Sequence, residues 1–192
     1  MKKISSKGFT LIELLAVITI LGILMLVAIP AVSRTIENSR RDTFANLGKT
    51  YISTIRNSVI ADEFKCGSSE ISVSATTAGS YYFKINSTEQ ATKDLMESGG
   101  KSSWGSNDVK GYVKWTKTAK TSGEAGYETT YSIVLVDQGN HGIKSETVEK
   151  NVTRSAVEVD TRKSDPKIGY TSATGITEVS TSATGATECT LK

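Results

Sequence analysis

The chain has 192 residues, of which 38% are hydrophobic and 22% charged, a length that suits one domain with an appended segment. Its formal charge of +3 is local: Lys2, Lys3 and Lys7 precede Phe9 with no acid beside them, and without residues 1–8 the 20 remaining basic side chains equal the 20 acidic ones. A body without net excess gives no reason to expect nucleic acid as a specific partner, and it lacks the self-repulsion that would oppose close packing of many copies.

From Phe9 to Ile29 only Thr10, Glu13 and Thr19 interrupt an apolar run. About 20 helical residues at ~1.5 Å each span a ~30 Å hydrocarbon core, so residues 9–30 are expected to form a membrane-spanning helix. Three lysines before it and Arg34 after it favour an N-terminus in the cytoplasm and a body outside. A secretory signal peptide is the alternative; it needs a small-residue cleavage site after the apolar run, and the AIPAVS stretch with Ala28 and Pro30 comes close to one.

The junction argues for a different cut. Gly8 is the small residue between Lys7 and Phe9, and cleavage there discards the charges while keeping the apolar run, the reverse of secretory processing. The new N-terminus is then the amine of Phe9. Glu13 lies about one helical turn beyond it, and a lone charge in a lipid-facing helix costs roughly 2.5–3.5 kcal/mol, so it is rarely kept without a partner or a task.

Lys7-Gly8-Phe9-Thr10-Leu11-Ile12-Glu13-Leu14, behind a short basic leader, resembles the N-terminus of the type IV pilins, in particular prepilins with a short class III leader. The resemblance covers roughly residues 1–50. It implies that a prepilin peptidase cuts after Gly8 and methylates the amine of Phe9. It also implies that Glu13 pairs with the Phe9 amine of a neighbouring subunit as a filament grows. The implied fold is α+β, the pilin αβ-roll: a long N-terminal helix packed against an antiparallel sheet.

Gly22 and Pro30 are the breakers within the first segment; proline removes a backbone donor and kinks or locally melts a helix, and helices of the resembled family bend at a proline in the equivalent place. Beyond Pro30, Val32, Ile36, Leu47, Tyr51, Ile55 and Val59 recur at helical spacing, with Arg34, Glu37, Arg40, Arg41 and Asp42 between them. The pattern predicts an amphipathic half of the long helix over residues 31–66, its periodicity reaching about Phe64 and its stop at Gly67. A helix of ~55 residues would be ~80 Å long, more than a small domain encloses.

Residues 67–192 are expected to be the globular body. Residues 71–75 and 81–85 read as short strands, and Ser87 with Gln90 as a capping box opening a short helix that ends near Gly99. Residues 110–117 and 127–136 are the best strands, 143–148 follow a turn at 138–142, and 152–159 add another. Short connections predict an antiparallel meander covering the helix stripe.

The Ser/Thr-rich tail holds a tandem repeat: TSATGITEVS at 171–180 is followed by TSATGATECT at 181–190, differing at three positions. It reads as a surface tail, with Cys189 at the small apolar site that Val179 takes in the first copy. Cys66 and Cys189 can close a disulfide outside the cell or remain small buried hydrophobes in a reducing setting. In the resembled family a C-terminal disulfide often locks a loop to the sheet; here Cys66, at the end of the long helix, departs from that pattern.

No GxSxG, Walker loop, GxGxxG or paired-carboxylate motif stands out, so no enzyme activity and no cofactor are expected. His141 has no zinc-ligand spacing, and the Asp137–Gly142 stretch reads as a hairpin turn rather than a calcium loop, so no metal is expected either. The resemblance implies a major pilin that polymerises with copies of itself into a surface pilus for motility, adhesion or biofilm formation. Before assembly it would sit in the cytoplasmic membrane, and a membrane platform and assembly ATPase would drive growth. A pseudopilin of a type II secretion system and a minor pilin are the alternatives within the leader class; a signal-peptide-secreted binding protein is the alternative outside it.

Overall fold

A computed structural model describes residues 10–67, 78–86, 101–106, 109–120, 126–139, 141–159 and 186–192. Its element order is α1 (Leu11–Ile60), β1 (Phe64–Cys66), β2 (Gly79–Asn86), β3 (Val109–Ala119), β4 (Tyr127–Asp137), β5 (Gly142–Val148) and β6 (Ala186–Leu191), with two short 3-10 turns after β5. The class is α+β. The compact units of the chain divide between Ser39 and Arg40.

Within the first unit α1 runs without a break through Gly22 and Pro30. Ser33 and Thr35 donate their hydroxyls to the carbonyls of Ile29 and Ala31, giving polar side chains in this stretch a partner on their own helix. Every large apolar side chain from Leu11 to Ile36 is exposed.

In the second unit α1 changes character. Phe44, Ala45, Gly48, Tyr51, Ile52, Ile55 and Val59 are buried, a helical stripe facing the sheet. The expected stripe holds for Tyr51, Ile55 and Val59, whereas Val32 and Ile36 lie exposed in the other unit. Gly48 sits close against the sheet: a Cβ there would meet Ile143 Cδ1 at 3.2 Å.

The helix stops earlier than the sequence suggests. Asp62 takes a left-handed φ of 56°, the Glu63 amide donates to Ser58 O (2.9 Å) and the Asp62 amide to Val59 O (3.3 Å), the paired bonds of a Schellman cap. Asp tolerates this conformation better than most residues, so the stop falls at Asp62 and not at Gly67. Phe64 and Cys66 consequently belong to β1.

The sheet has the order β1-β6-β2-β3-β4-β5. β2 to β5 form the expected antiparallel meander. β6 departs from it, inserting between β1 and β2, antiparallel to the first and parallel to the second. The tail is therefore not all surface. The second repeat copy supplies a strand inside the sheet.

One face of the sheet meets α1 through Phe83, Ile85, Val113, Trp115, Ile133, Leu135 and Ile143. Phe64 packs edge-to-face on Trp115 with ring centroids 5.8 Å apart, and the Tyr81 ring lies tilted against Trp115 at 5.0 Å. The opposite face carries a smaller apolar cluster of Tyr82, Tyr112, Val134 and Val136. Residues 152–159 do not form a strand: they hold a 3-10 turn at Arg154–Ala156, and Val152 and Val157 enter the core singly. A bridge from Gly142 to Glu158 ties this segment to β5. The expected strand at 71–75 and helix at 87–99 lie outside the described residues.

Candidate functional site

Gly8 and Phe9 lie outside the described residues, so the structure of the site begins at Thr10. Thr10 is the residue before the first helical position, and Glu13 stands three residues on. The Thr10 amide donates to Glu13 Oε2 at 2.8 Å and its hydroxyl to the same oxygen at 2.7 Å, while the Glu13 amide approaches Thr10 Oγ1 at 3.4 Å. This is a capping box, two helix-terminal amides satisfied reciprocally by side chains. The Thr-x-x-Glu spacing announces it in the sequence, so Glu13 is a capping side chain as well as a charge in an apolar run.

Glu13 thus does two things at once within one chain. It closes the first turn of the helix, and it places a carboxylate at the helix N-terminus, where the backbone dipole favours negative charge. Both Thr10 bonds fall on Oε2. Around it Leu11, Ile12, Leu14 and Leu15 are more than half exposed, so the carboxylate stands on a helix with apolar side chains on every side. A helix apolar all round belongs in a membrane or a packed bundle. This part of α1 is long and apolar enough to cross a membrane.

The second expected pair, Cys66 and Cys189, is joined as a disulfide, both residues nearly fully buried. Cys66 stands opposite Cys189 in the β1–β6 register, and Cys189 stands opposite Phe83 in the β6–β2 register. The early helix stop makes this possible, because residues 64–66 are strand and run beside β6.

The body offers polar arrangements of a structural kind. Asp137, fully buried, accepts hydrogen bonds from Ser102 Oγ and from the His141 amide (2.9 Å), and lies 3.1 Å from His141 Nδ1. Trp104 stacks on the His141 ring at 4.6 Å. The expected hairpin turn at 138–142 is thereby tied to the 101–106 loop. Arg154 pairs with Asp42 across the helix surface, holding the Asp42 carboxyl below its ordinary range, and Arg56 pairs with Glu149 while lying 4.9 Å above the Tyr131 ring. No group of three His, Cys, Asp or Glu side chains converges among the described residues.

Residues 4–29 match the family model described as the prokaryotic N-terminal methylation motif. No curated protein and no solved structure shows a significant match to the chain. The matched segment includes Gly8, Phe9, Thr10 and Glu13, and it covers the exposed apolar stretch of α1 up to Ile29. The N-terminal segment of this chain carries the prokaryotic N-terminal methylation motif, which supports a type IV pilin-like prepilin.

Proposed function

We infer that this chain is a structural subunit that polymerises into a type IV pilus, acting through assembly and not through catalysis. The observation that carries the reading is the coincidence of the methylation motif at residues 4–29 with a helix whose large apolar side chains from Leu11 to Ile36 all stand exposed. In this reading a prepilin peptidase cuts after Gly8 and methylates Phe9. The mature helix waits in the cytoplasmic membrane with its N-terminus inside and then transfers into a bundle of identical helices. Both surroundings are apolar, so the transfer costs the side chains little.

Glu13 supplies the direction. Its Oε2 is engaged by Thr10 of the same chain, which leaves Oε1 to meet the Phe9 amine of a staggered neighbour. An ion pair formed in an apolar core gains from the low dielectric, and it relieves a carboxylate that the bilayer solvates poorly. The intact Glu13 suits a principal subunit, and the membrane platform and ATPase that drive assembly are separate proteins.

Filaments sheared from the surface of the native cells test this directly. The pilus reading expects this chain, beginning at Phe9, to be their main protein by mass spectrometry. Its absence from abundant filaments, with the mature chain confined to the membrane fraction, would assign it to a pseudopilin or minor subunit.

A further inference from the structure

The segment that follows β5 lies along the part of α1 that belongs to the body. Val152 and Val157 enter the core, and a Cβ on Gly48 would meet Val152 Cγ1 at 3.5 Å, so the segment touches the helix there. Two ion pairs clamp it to α1. Arg56 pairs with Glu149 at one end, and at the other Arg154 pairs with Asp42, its Nε donating to Asp42 Oδ1 at 2.9 Å. Asp42, Lys49, Ser53 and Arg56 stand on one helix face, at steps of seven, four and three residues, so Lys49 and Ser53 fall between the two clamps.

A cleft of about 520 Å³ opens between them, lined by Lys49, Thr50 and Ser53 from the helix and by Glu149 and Lys150 from the turn. The carboxylates of both clamps are spent, Glu149 on Arg56 and Asp42 on Arg154. Lys49 and Lys150 have no carboxylate partner among the described residues. We propose that this cleft binds the phosphate group of a phosphorylated polyol, held by Lys49 and Lys150 with the Ser53 hydroxyl donating to it.

The lining sets the class of ligand. All five side chains are polar, which disfavours an apolar guest. Two ammonium groups without a counter-charge repel one another, and an anion bound between them removes that repulsion while accepting a charge-assisted bond from each. Lysine offers a compact charge with three rotatable donors, which suits phosphate oxygens. Thr50 Oγ1 donates to Asn46 O at 3.0 Å, whereas the Ser53 hydroxyl has no acceptor among the described residues and is left to donate. Glu149 also lines the cleft, and its pairing with Arg56 offsets the charge that would oppose an anion.

The cleft is larger than one phosphate. A recess of about 330 Å³ adjoins it, sharing Glu149 and Lys150 and adding the exposed side chains of Thr129 and Thr130 on β4. The Arg56 guanidinium already lies 4.9 Å above the Tyr131 ring, so the recess presents hydroxyls and not a bare aromatic platform for a nucleobase. Hydroxyls beside a phosphate site fit a polyol. Every residue of the site belongs to the unit from Arg40 to Lys192, so binding there is independent of pilus assembly.

Titration of the full-length, nitrogen-15-labelled chain in detergent with sn-glycerol 3-phosphate, followed by amide shifts, tests the proposal. Saturable shifts are expected at residues 49–53 and 149–151. Lys49→Gln combined with Lys150→Gln should weaken binding about tenfold, while Lys49→Arg, which keeps the charge, and the exposed Lys65→Gln on β1 should retain it. Glycerol should not bind, and inorganic phosphate should bind about threefold more weakly than the ester. Shifts that never saturate, or that persist unchanged in the double variant, overturn the site. Equal affinity for inorganic phosphate overturns the polyol assignment.

Discussion

Between Leu11 and Ile36 α1 leaves its large apolar side chains in the open, whereas between Phe44 and Val59 the same helix buries them against its own sheet. The difference lies in pattern more than in composition. The second stretch confines its apolar residues to one stripe, with Lys49 and Arg56 off it, so it completes a fold within one chain. The first is apolar all round and interrupted by Glu13 alone among charged residues up to Arg34, so what completes it must come from outside the chain, which in the proposed reading is lipid first and then copies of itself.

The largest effect expected from breaking this contrast is at Glu13. Glu13→Gln should lower the filament protein recovered by shearing at least tenfold, while urea unfolding of the body moves by less than about 0.5 kcal/mol. Normal filament yield from that variant would remove the charge pairing from the mechanism. Matched truncations on the two stretches sharpen it further. Ile55→Ala should cost the body about 2–5 kcal/mol by leaving a cavity under a fully buried side chain, and Ile23→Ala should leave body unfolding unchanged. Equal losses at the two positions would mean that the apolar stretch is part of the folded body.

Removing the disulfide through Cys66→Ser with Cys189→Ser acts only on the second region. It should cost about 2–5 kcal/mol in urea unfolding, since it frees a loop of 123 residues in the unfolded chain. A loss below ~1 kcal/mol would show that β6 is held by its neighbours alone.

Much of this contrast was legible in the residues. The basic leader, Gly8, Phe9 and Glu13 mark the N-terminal segment, and alternation in KGYVKWTK and YETTYSIVLV marks β3 and β4. What escaped has local physical causes. The helix stop rests on Asp62 adopting a left-handed conformation that glycine usually takes, so the nearby Gly67 drew the boundary. The cap at Thr10 is masked by the apolar run around it, in which Glu13 reads as a charge without a partner. β6 was hidden because its residues, Ala-Thr-Glu-Cys-Thr-Leu, carry little apolar character; its place in the sheet comes from Cys66, Lys84 and Tyr82, contacts far away in sequence.

Two smaller effects concern pH and belong to the body. Burial pushes the Tyr51 hydroxyl from its ordinary 10.0 up to about 12, and its oxygen has no hydrogen-bond partner among the described residues. A group with a raised folded pKa that is neutral when protonated favours the folded state below its unfolded pKa. Tyr51 stability should therefore fall as pH rises from 10 to 12, on the order of 2 kcal/mol over that window. Tyr51→Phe should remove that share of alkaline unfolding and leave neutral-pH stability equal or higher; an unchanged alkaline profile would contradict the assignment.

The smallest effect is at Asp42. Arg154 lowers its folded pKa, so the pair stabilises above the unfolded carboxylate range and fades as pH falls through the depressed folded value. Asp42→Asn should flatten the acid limb of the stability curve only slightly, because the pair is exposed and screened by salt.

The central claim is that the exposed half of α1 is kept, not discarded, and that its partners are other copies. The most direct test is the N-terminal residue of the protein isolated from its own cells, read by mass spectrometry of the terminal peptide. A chain beginning at N-methylated Phe9, with Glu13 retained, is the expected result. A mature chain beginning beyond Ala28 would mean that Glu13 leaves with a signal peptide, and assembly through that helix would be contradicted.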